Sequence, residues 1–414
     1  MNGRASLIPF VAGVALVAAG LAWIGGWALP TVIGALVVMV VGHEFGHFIT
    51  AKRAGLLVTD FFVGFGPVIW STTVGETRYG LRLLPLGGYV KIPGMTWADE
   101  LPAELEPRTY RGASYPRQVL FAGAGSLMHG VMALVLAWAS LSLVGLPSAS
   151  HVAIGSFTPW DGHARNAAQL AGLRVGDRIV SVDGHPVRSA QILVTEVHDH
   201  VGQPLHLVVD RGSSTRTIVA TPVNGQRLKV GGQRLDTGSR PVGYIGVTLV
   251  DQVVRESWLA SIPGAFSRVG QVAALSVHGL VHIFSPGEFV SLYHQITNAS
   301  VASRPSVQLT RPQSIVGVVR LAVQSAALGP GVLLEVLMAV NIFVGLMNLL
   351  PLLPLDGGYI AVATYERIRS RRGRRYHADL SRLNPVVFAF VAVLLVLFAS
   401  TLYLDIVHPI ANPF

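Results

Sequence analysis

The amino-acid sequence predicts an α-helical integral membrane protein of about five transmembrane helices, with a β-rich soluble domain inserted between the third helix and the fourth. Only 13% of its 414 residues are charged, whereas soluble domains have about 25%. The apolar residues are concentrated in stretches that are long enough to cross a bilayer. Between about 148 and 250, by contrast, apolar and polar residues alternate between Gly and Asp turns, which is typical of strands in a soluble domain.

The first apolar stretch is long enough for two transmembrane helices. No charged residue occurs between Ala5 and Gly42, and one crossing needs only about 20 residues. Pro30 is a natural break, so the sequence predicts helices over about 5–28 and 31–53. A cleaved signal peptide is the alternative for the first helix, because Arg4 precedes an apolar stretch that contains small residues. Three further apolar stretches, at about 118–146, 335–356 and 383–404, complete the predicted spans.

The basic residues predict the orientation of these spans, because Lys and Arg in short loops mark the cytoplasmic side. Lys52 and Arg53 follow the second span, seven arginines lie within 367–382, and Arg4 precedes the first span. With five spans these sites share the cytoplasmic side, and the segment 147–335 lies outside. The net charge of +9 therefore describes topology. Since no phosphate-binding loop and no aromatic–basic surface is found in the sequence, nucleic-acid binding is not expected.

The second span ends in a pattern that predicts a metal site. His43-Glu44-Phe45-Gly46-His47 places two histidines four residues apart, on one face of a helix, where both imidazoles can bind one metal ion. Glu44, beside the first histidine, is the candidate general base. Three ionisable groups in an apolar span are costly unless they pair or bind metal. The sequence has no cysteine, so further ligands must be His, Asp or Glu.

Asp356 is the candidate third ligand, since catalytic zinc usually has three protein ligands. It ends the fourth apolar stretch on the cytoplasmic side, as His43 and His47 end theirs. Pro351 and Pro354 precede it and interrupt helical hydrogen bonding where the backbone must bend around a site. The alternative is that Asp356 is an interfacial residue at a helix end.

The motifs together resemble the site-2 protease family of intramembrane zinc metalloproteases. The resemblance rests on His43-Glu44-Phe45-Gly46-His47, on Asn348-Leu349-Leu350-Pro351 followed by Leu355-Asp356-Gly357, and on two stretches between them, Phe61-Phe62-Val63-Gly64-Phe65-Gly66-Pro67 and Leu84-Pro85-Leu86-Gly87-Gly88-Tyr89-Val90-Lys91. These two stretches are similar to the re-entrant β-structure that follows the first catalytic helix in that family.

The resemblance implies a zinc endopeptidase that cuts within the membrane. It implies His43, His47 and Asp356 as zinc ligands, Glu44 as the base and Asn348 as a substrate-positioning residue. The implied substrate is a single-pass membrane protein, an anti-sigma factor or a remnant signal peptide, cut after a first protease has acted. In the third span Gly123-Ala124-Gly125-Ser126-Leu127-Met128-His129 departs from the Gly-Pro-x-x-Asn of many members. His129 is read there as a packing residue rather than a fourth ligand.

The inserted domain resembles a PDZ domain. Residues 171–184 are similar to its helix–turn–strand–hairpin, and Gly243-Tyr244-Ile245-Gly246-Val247 is similar to its carboxylate-binding loop, placed late as in a circularly permuted form. Such a domain binds an extended peptide along its edge, or it is a bulky filter that excludes large substrates. From 253 to about 284 the chain is mostly apolar, which is compatible with a helix on the outer membrane surface; a soluble packing helix is the alternative.

These readings divide the chain as follows: 1–29 extra N-terminal transmembrane helix; 30–53 catalytic helix; 54–116 cytoplasmic loop with the re-entrant β segment; 117–147 transmembrane helix; 148–252 extracytoplasmic PDZ domain; 253–335 extracytoplasmic membrane-associated segment; 336–358 second catalytic helix; 359–382 basic cytoplasmic loop; 383–406 C-terminal transmembrane helix. The predicted location is the bacterial plasma membrane, with the active site towards the cytoplasm and lipid and membrane-protein substrates as partners.

Two other functions compete with the protease. An inactive scaffold that uses its PDZ domain would not need Glu44 or Asp356, yet both are present. A metal transporter would need polar residues through several spans, and the first and fifth have almost none.

Overall fold

The computed structural model describes residues 7–95, 102–161, 165–230, 233–234, 240–370 and 376–410. The chain forms two compact units: one comprises Met1–Ser140 and Ala260–Phe414, and the other comprises Leu141–Leu259. The α-helices are α1 (Leu7–Gly25), α2 (Ala28–Arg53), α3 (Tyr115–Ala139), α4 (Ala167–Leu170), α5 (Ala190–Asp199), α6 (Ser261–Ile283), α7 (Pro286–Thr297), α8 (Ala299–Ala302), α9 (Pro305–Thr310), α10 (Ile315–Ala326), α11 (Pro330–Asn348), α12 (Asp356–Arg369) and α13 (Asn384–Val407). The strands are β1 (Asp60–Val74), β2 (Thr77–Lys91), β3 (Leu146–Phe157), β4 (Arg178–Val182), β5 (His185–Pro186), β6 (Leu205–Arg211), β7 (Ser214–Ala220), β8 (Val223–Asn224), β9 (Lys229–Val230), β10 (Gln233–Arg234), β11 (Gly243–Tyr244) and β12 (Val247–Val254).

Four helical segments of the described chain are long and apolar enough to cross a membrane, Ala28–Arg53, Tyr115–Val144, Pro330–Asn348 and Leu380–Val407. They coincide with the second to fifth predicted spans, and they identify the chain as a membrane protein. Helix α1 covers the first predicted span. It is apolar throughout its 19 residues but is not among these four segments, so the five-span count stays a prediction.

The break between the first two helices lies a few residues before the predicted proline. Helix α1 ends at Gly25, and Gly26 has a φ of +63°, a left-handed conformation that glycine adopts without steric cost. Pro30 lies in the first turn of α2. Backbone N–H groups in a first turn have no helical partner, so proline is tolerated there.

The segment predicted to be the second catalytic helix, 336–358, is not a single helix. Helix α11 ends at Asn348, residues 349–355 form turns, and Asp356 begins a new helix, α12, which extends into the region predicted as a basic loop. Pro351 and Pro354 account for this break, because proline lacks the N–H that would continue the helix and its ring clashes with the preceding turn. Asp356 therefore lies at a helix start and not at the end of a span.

The segment after α2 folds into one antiparallel sheet built from two long, bent strands. Residues Asp60–Val63 of β1 pair on one side with Arg78–Leu81 and on the other with Gly88–Lys91, both from β2. Glycines permit the bend: Gly64 and Gly66 have φ of +91° and +86°. The stretch Gly88–Lys91 is consequently an edge of the sheet. The phenyl ring of Phe62 is fully buried in its centre.

The second unit is a sheet with the strand order β12-β3-β4-β6-β7, with β5 beside β4. Its core is formed by inward-facing residues of several strands, including Ile154, Ile179, Leu205 and Leu207. The predicted hairpin turn lies at Asp183-Gly184, between β4 and β5. In the predicted carboxylate-binding loop, β11 pairs with β8, and the Gly246 carbonyl accepts a hydrogen bond from the Asn166 amide. Assignment as a PDZ domain stays a prediction.

The segment predicted to lie on the outer membrane surface begins later than expected, because Val253 and Val254 belong to strand β12. The helix there is α6, and it exposes large apolar side chains, among them Phe266, Leu275 and Val281. Such a surface is compatible with lipid, and its location at the membrane stays a prediction.

A buried ion pair predicts that the second unit is sensitive to acid. The Asp177 carboxylate accepts hydrogen bonds from Arg211 Nε (2.7 Å) and Nη2 (2.6 Å) and from the Arg174 N–H (2.8 Å). Burial raises the pKa of Asp177, but the bonds from Arg211 and Arg174 outweigh it and hold this pKa below its usual 3.8. A carboxyl group with a depressed pKa stabilises the fold above its unfolded pKa and loses that contribution as the pH falls through the folded pKa.

We therefore expect Asp177→Asn to lower the free energy of unfolding of residues 141–259 by about 2–4 kcal/mol at pH 7, since it leaves Arg211 without its partner. The difference from wild type should shrink at pH 3. Denaturant unfolding at both pH values measures it, and Asp210→Asn, at an ion pair that is more exposed, is the control with a smaller effect. A difference that is equal at pH 7 and pH 3 would contradict this account.

Candidate metal centre

Helices α2 and α12 bring the three predicted ligands together. His43 and His47 lie one turn apart on α2, and their Nε2 atoms are 3.2 Å apart. Asp356 Oδ2 lies 3.4 Å from His43 Nε2 and 3.3 Å from His47 Nε2. The three donor atoms thus form a nearly equilateral triangle. Among the described residues, this is the cluster of His, Asp or Glu that could hold a metal ion.

The dimensions of this triangle fit zinc. Zinc in proteins is usually tetrahedral, with nitrogen and oxygen ligands at roughly 2.0–2.1 Å. In a tetrahedron of that size two ligand atoms are about 3.3–3.4 Å apart, which matches the three separations of 3.2, 3.4 and 3.3 Å. Two imidazoles and one carboxylate also form a ligand set that catalytic zinc uses.

Unsatisfied polar atoms support the same conclusion. Asp356 Oδ2 is buried and accepts no hydrogen bond from the described residues, and His43 Nδ1 also lacks a partner. A buried carboxylate oxygen without a partner is expensive, and a metal ion would satisfy it.

Helix α3 packs against the two histidines through its small residues. A Cβ on Gly125 would overlap the rings of both His43 and His47, and a Cβ on Gly46 would overlap the Ala124 carbonyl. Only glycine at these positions lets the backbones of α2 and α3 approach so closely. The Nδ1–H of His47 donates to the Phe121 carbonyl of α3 at 2.8 Å, which leaves the Nε2 lone pair free for a metal.

Glu44 lies beside the triangle and against the sheet edge. The Val90 backbone lies beside the Glu44 carboxylate, and a Cβ on Gly88 would come within 2.9 Å of Glu44 Cγ. A cavity of about 150 Å³ opens here, which is room for water and for part of an extended peptide. It is lined by His43, Glu44, His47, Tyr89, Val90, Met95, Phe121, Ala122, Asp356 and Tyr359.

Asn348 is not part of this cluster. It is the last residue of α11 and half-buried, and it does not line the cavity. Its role in positioning substrate stays a prediction.

Sequence reasoning did not find several residues that shape the centre. Gly125 and Val90 contact the predicted ligands and base through their backbone positions, which no side-chain pattern reveals. Asn341 hydrogen-bonds to His129, whose ring centroid is 5.1 Å from that of His43. The small residues Gly123-Ala124-Gly125 were the available signal, since such runs mark close helix contacts in membranes.

Known proteins resemble this chain over nearly its whole length. The model of peptidase family M50 matches residues 31–394. The zinc metalloprotease Rip1 of Mycobacterium tuberculosis is 33% identical over 401 residues, which cover 91% of this chain and 96% of the relative. The protein of the same name from Mycolicibacterium smegmatis is 29% identical with the same coverage. A putative zinc metalloprotease of Clostridium perfringens is 27% identical over 90% of this chain and 96% of the relative.

The close approach of α3 generates a test of the metal centre. We expect Gly125→Ala to abolish zinc binding, because the added methyl group would occupy the space beside the two imidazoles. Metal content of the purified protein, measured by mass spectrometry, should fall from near one zinc per chain to near none. Gly130→Ala, on the same helix with no atom near the added Cβ, should keep its zinc. Full zinc occupancy in a folded Gly125→Ala protein would show that the metal lies elsewhere.

Proposed function

The chain belongs to peptidase family M50, the site-2 protease family, and is a zinc metalloprotease, and we propose that it cleaves peptide bonds in or near the transmembrane segments of single-pass membrane proteins. The observation that carries this proposal is the position of the ligand cluster. His43 and His47 lie on a helix that is apolar and long enough to span a membrane, and Asp356 meets them eight residues after another such helix ends.

The roles of the site residues follow from their chemistry. We assign His43, His47 and Asp356 as the zinc ligands, and bound zinc supplies the Lewis acidity that polarises a scissile carbonyl. Glu44 is next to a ligand, faces the cavity and is not one of the three donors. Its carboxylate accepts the proton of the attacking water and then delivers it to the leaving amine.

The sheet edge beside Glu44 is suited to hold the substrate. Peptide bonds in a transmembrane helix are hydrogen-bonded internally, so the substrate must unwind into an extended strand before hydrolysis. The Lys91 carbonyl accepts from the Thr59 N–H and so faces β1. Because neighbouring residues of a strand alternate, the N–H and C=O of Val90 face outward, towards Glu44. An extended substrate that pairs with Val90 would lie across the cavity.

We assign the second unit to the outside of the plasma membrane, as a PDZ-like domain that restricts access. The basic loops support this orientation. The described residues of this unit contain no cluster of metal-ligating side chains, so its contribution is to substrate selection: either a peptide binds along its edge or its bulk excludes large outer domains. By family resemblance the substrates are anti-sigma factors or remnant signal peptides that a first protease has shortened.

The assignment of Glu44 predicts that catalysis and metal binding can be separated. Glu44→Gln should lower turnover of a model transmembrane peptide at least about 100-fold and leave zinc content unchanged, because the base is not a ligand. Peptide cleavage in proteoliposomes, with and without a zinc chelator, measures turnover. Glu76→Gln is the control, since Glu76 lies outside the cavity and pairs with Lys52 and Arg108. Normal turnover in zinc-loaded Glu44→Gln would remove Glu44 from the mechanism.

The docking edge can be tested in the inactive Glu44→Gln protein, where binding is measured without cleavage. Val90→Pro removes the outward N–H, and proline is tolerated on an edge strand, so affinity for a labelled transmembrane peptide should fall about tenfold. Val90→Ala keeps the N–H and should bind like the parent. Equal affinity of all three proteins would show that the substrate does not pair with this edge.

A further inference from the structure

We propose that His129 is a positioning residue for the zinc ligand His43, acting as the acceptor for the His43 Nδ1–H; this inference rests on the proposed metal centre. His129 lies on α3, one turn after Gly125, and is buried. It is not a member of the ligand triangle. Its ring centroid lies 5.1 Å from that of His43, with the planes tilted by 45°.

Asn341 of α11 fixes the His129 ring by two hydrogen bonds. The Asn341 amide Nδ2 donates to the His129 backbone carbonyl at 2.8 Å, and Asn341 Oδ1 pairs with His129 Nδ1. Both residues are buried in apolar helices, where an unpaired amide would be costly. One turn further along α11, a Cβ on Gly345 would come within 2.7 Å of His129 Cβ. Glycine there lets α11 approach closely enough for the pair to form.

This contact determines which nitrogen of His129 carries the proton. A backbone carbonyl only accepts, so the Asn341 Nδ2 must face it, and Oδ1 must face the ring. Oδ1 also only accepts, so the hydrogen lies on His129 Nδ1. In the neutral ring Nε2 then has a free lone pair. No hydrogen bond to this Nε2 is formed by the residues that the structure describes.

His43 needs such an acceptor. When its Nε2 binds a metal, its proton lies on Nδ1, and metal-ligating histidines almost always donate this N–H to a partner. His47 does so, to the Phe121 carbonyl. His43 Nδ1 is buried and does not meet hydrogen-bond geometry with any described residue. Two imidazoles joined edge to edge by one bond of ordinary length have centroids about 5 Å apart, so a small rotation of the His43 ring engages His129 Nε2.

The Gly125 carbonyl is the rival acceptor, since it lies near the His43 ring. A helical carbonyl can accept a second hydrogen bond, as that of Phe121 does from His47, so experiment must separate Gly125 from His129 as the acceptor. The chain that results runs from Asn341 through His129 and His43 to the metal. It holds the His43 ring in one orientation and one tautomer.

Two substitutions of His129 separate this role from simple packing. Gln places an acceptor near the position of Nε2 and loses the bond to Asn341, whereas Asn keeps a polar atom near Nδ1 and loses Nε2. We expect His129→Asn to weaken zinc affinity about 10- to 100-fold and His129→Gln to stay within about threefold of wild type. Asn341→Leu removes both hydrogen bonds that orient the His129 ring. The loss of zinc affinity should lie between those of the two His129 variants.

Zinc affinity of the full-length protein is measured by competition with a chromophoric chelator, without substrate, and the visible spectrum of the cobalt-loaded protein reports ligand geometry. Ser140→Ala is the matched control. It removes the hydrogen bond that Ser140, the residue after α3, donates to the Gly331 carbonyl of α11, which lies far from His43. Its affinity and spectrum should match wild type. The Asn variant should show a changed cobalt spectrum, and the Gln variant the wild-type one.

If the zinc affinity of His129→Asn is close to wild type and that of His129→Gln is reduced, His129 only stabilises the packing of α3 against α11. That result would overturn the proposal. Wild-type affinity in both variants would assign the role to the Gly125 carbonyl. A wild-type protein that binds no zinc would instead refute the metal centre itself, so the two failures are distinct. If neither His129 variant folds, wild-type zinc affinity in folded Asn341→Leu would overturn the proposal, and a weaker affinity would support it.

Discussion

The close contact between α2 and α3 is the constraint on which the rest of the site depends. At Gly46 and Gly125 a single added methyl group would overlap the facing helix. In lipid the hydrophobic effect does not drive helices together, so such contacts depend on small residues and on polar groups that hydrogen-bond to each other. Here the close approach brings the Phe121 carbonyl to His47 and places the Gly125 backbone against both imidazoles. The geometry of the candidate metal centre thus depends on the close approach of the α2 and α3 backbones as much as on the three candidate ligands.

A second constraint places the Asp356 carboxylate beside the two histidines. The prolines after Asn348 end α11 and let the chain turn before α12 begins at Asp356. A continuous helix would direct residue 356 away along its axis, since each residue adds about 1.5 Å. Because the turn interrupts the helix, Asp356 Oδ2 reaches both histidines.

Local patterns in the sequence predicted the ligand residues and the family, and they did not predict the contacts that orient them. The spacing of His43 and His47 is a property of one helix and can be read directly. The hydrogen bonds of His129 to Asn341 join residues 212 positions apart, and nothing in either local sequence indicates the other. The start of α12 was missed for a related reason: prolines show that a helix ends, but a new helix begins only if its residues find a surface to pack on, here α3. The role of Asn348 stays a prediction.

The proposed docking of substrate at the Val90 edge has a consequence for the features of a substrate that determine cleavage. A strand edge recognises main-chain N–H and C=O groups, which every residue except proline shares. If substrates pair with this edge as proposed, selection there would rank membrane segments by the energy needed to unwind them, and only weakly by their side chains. Glycine, proline and polar residues within a segment lower that energy, so helical instability would serve as the cleavage signal. Two substrates without any common sequence would then be equivalent to this protease if their helices open equally easily.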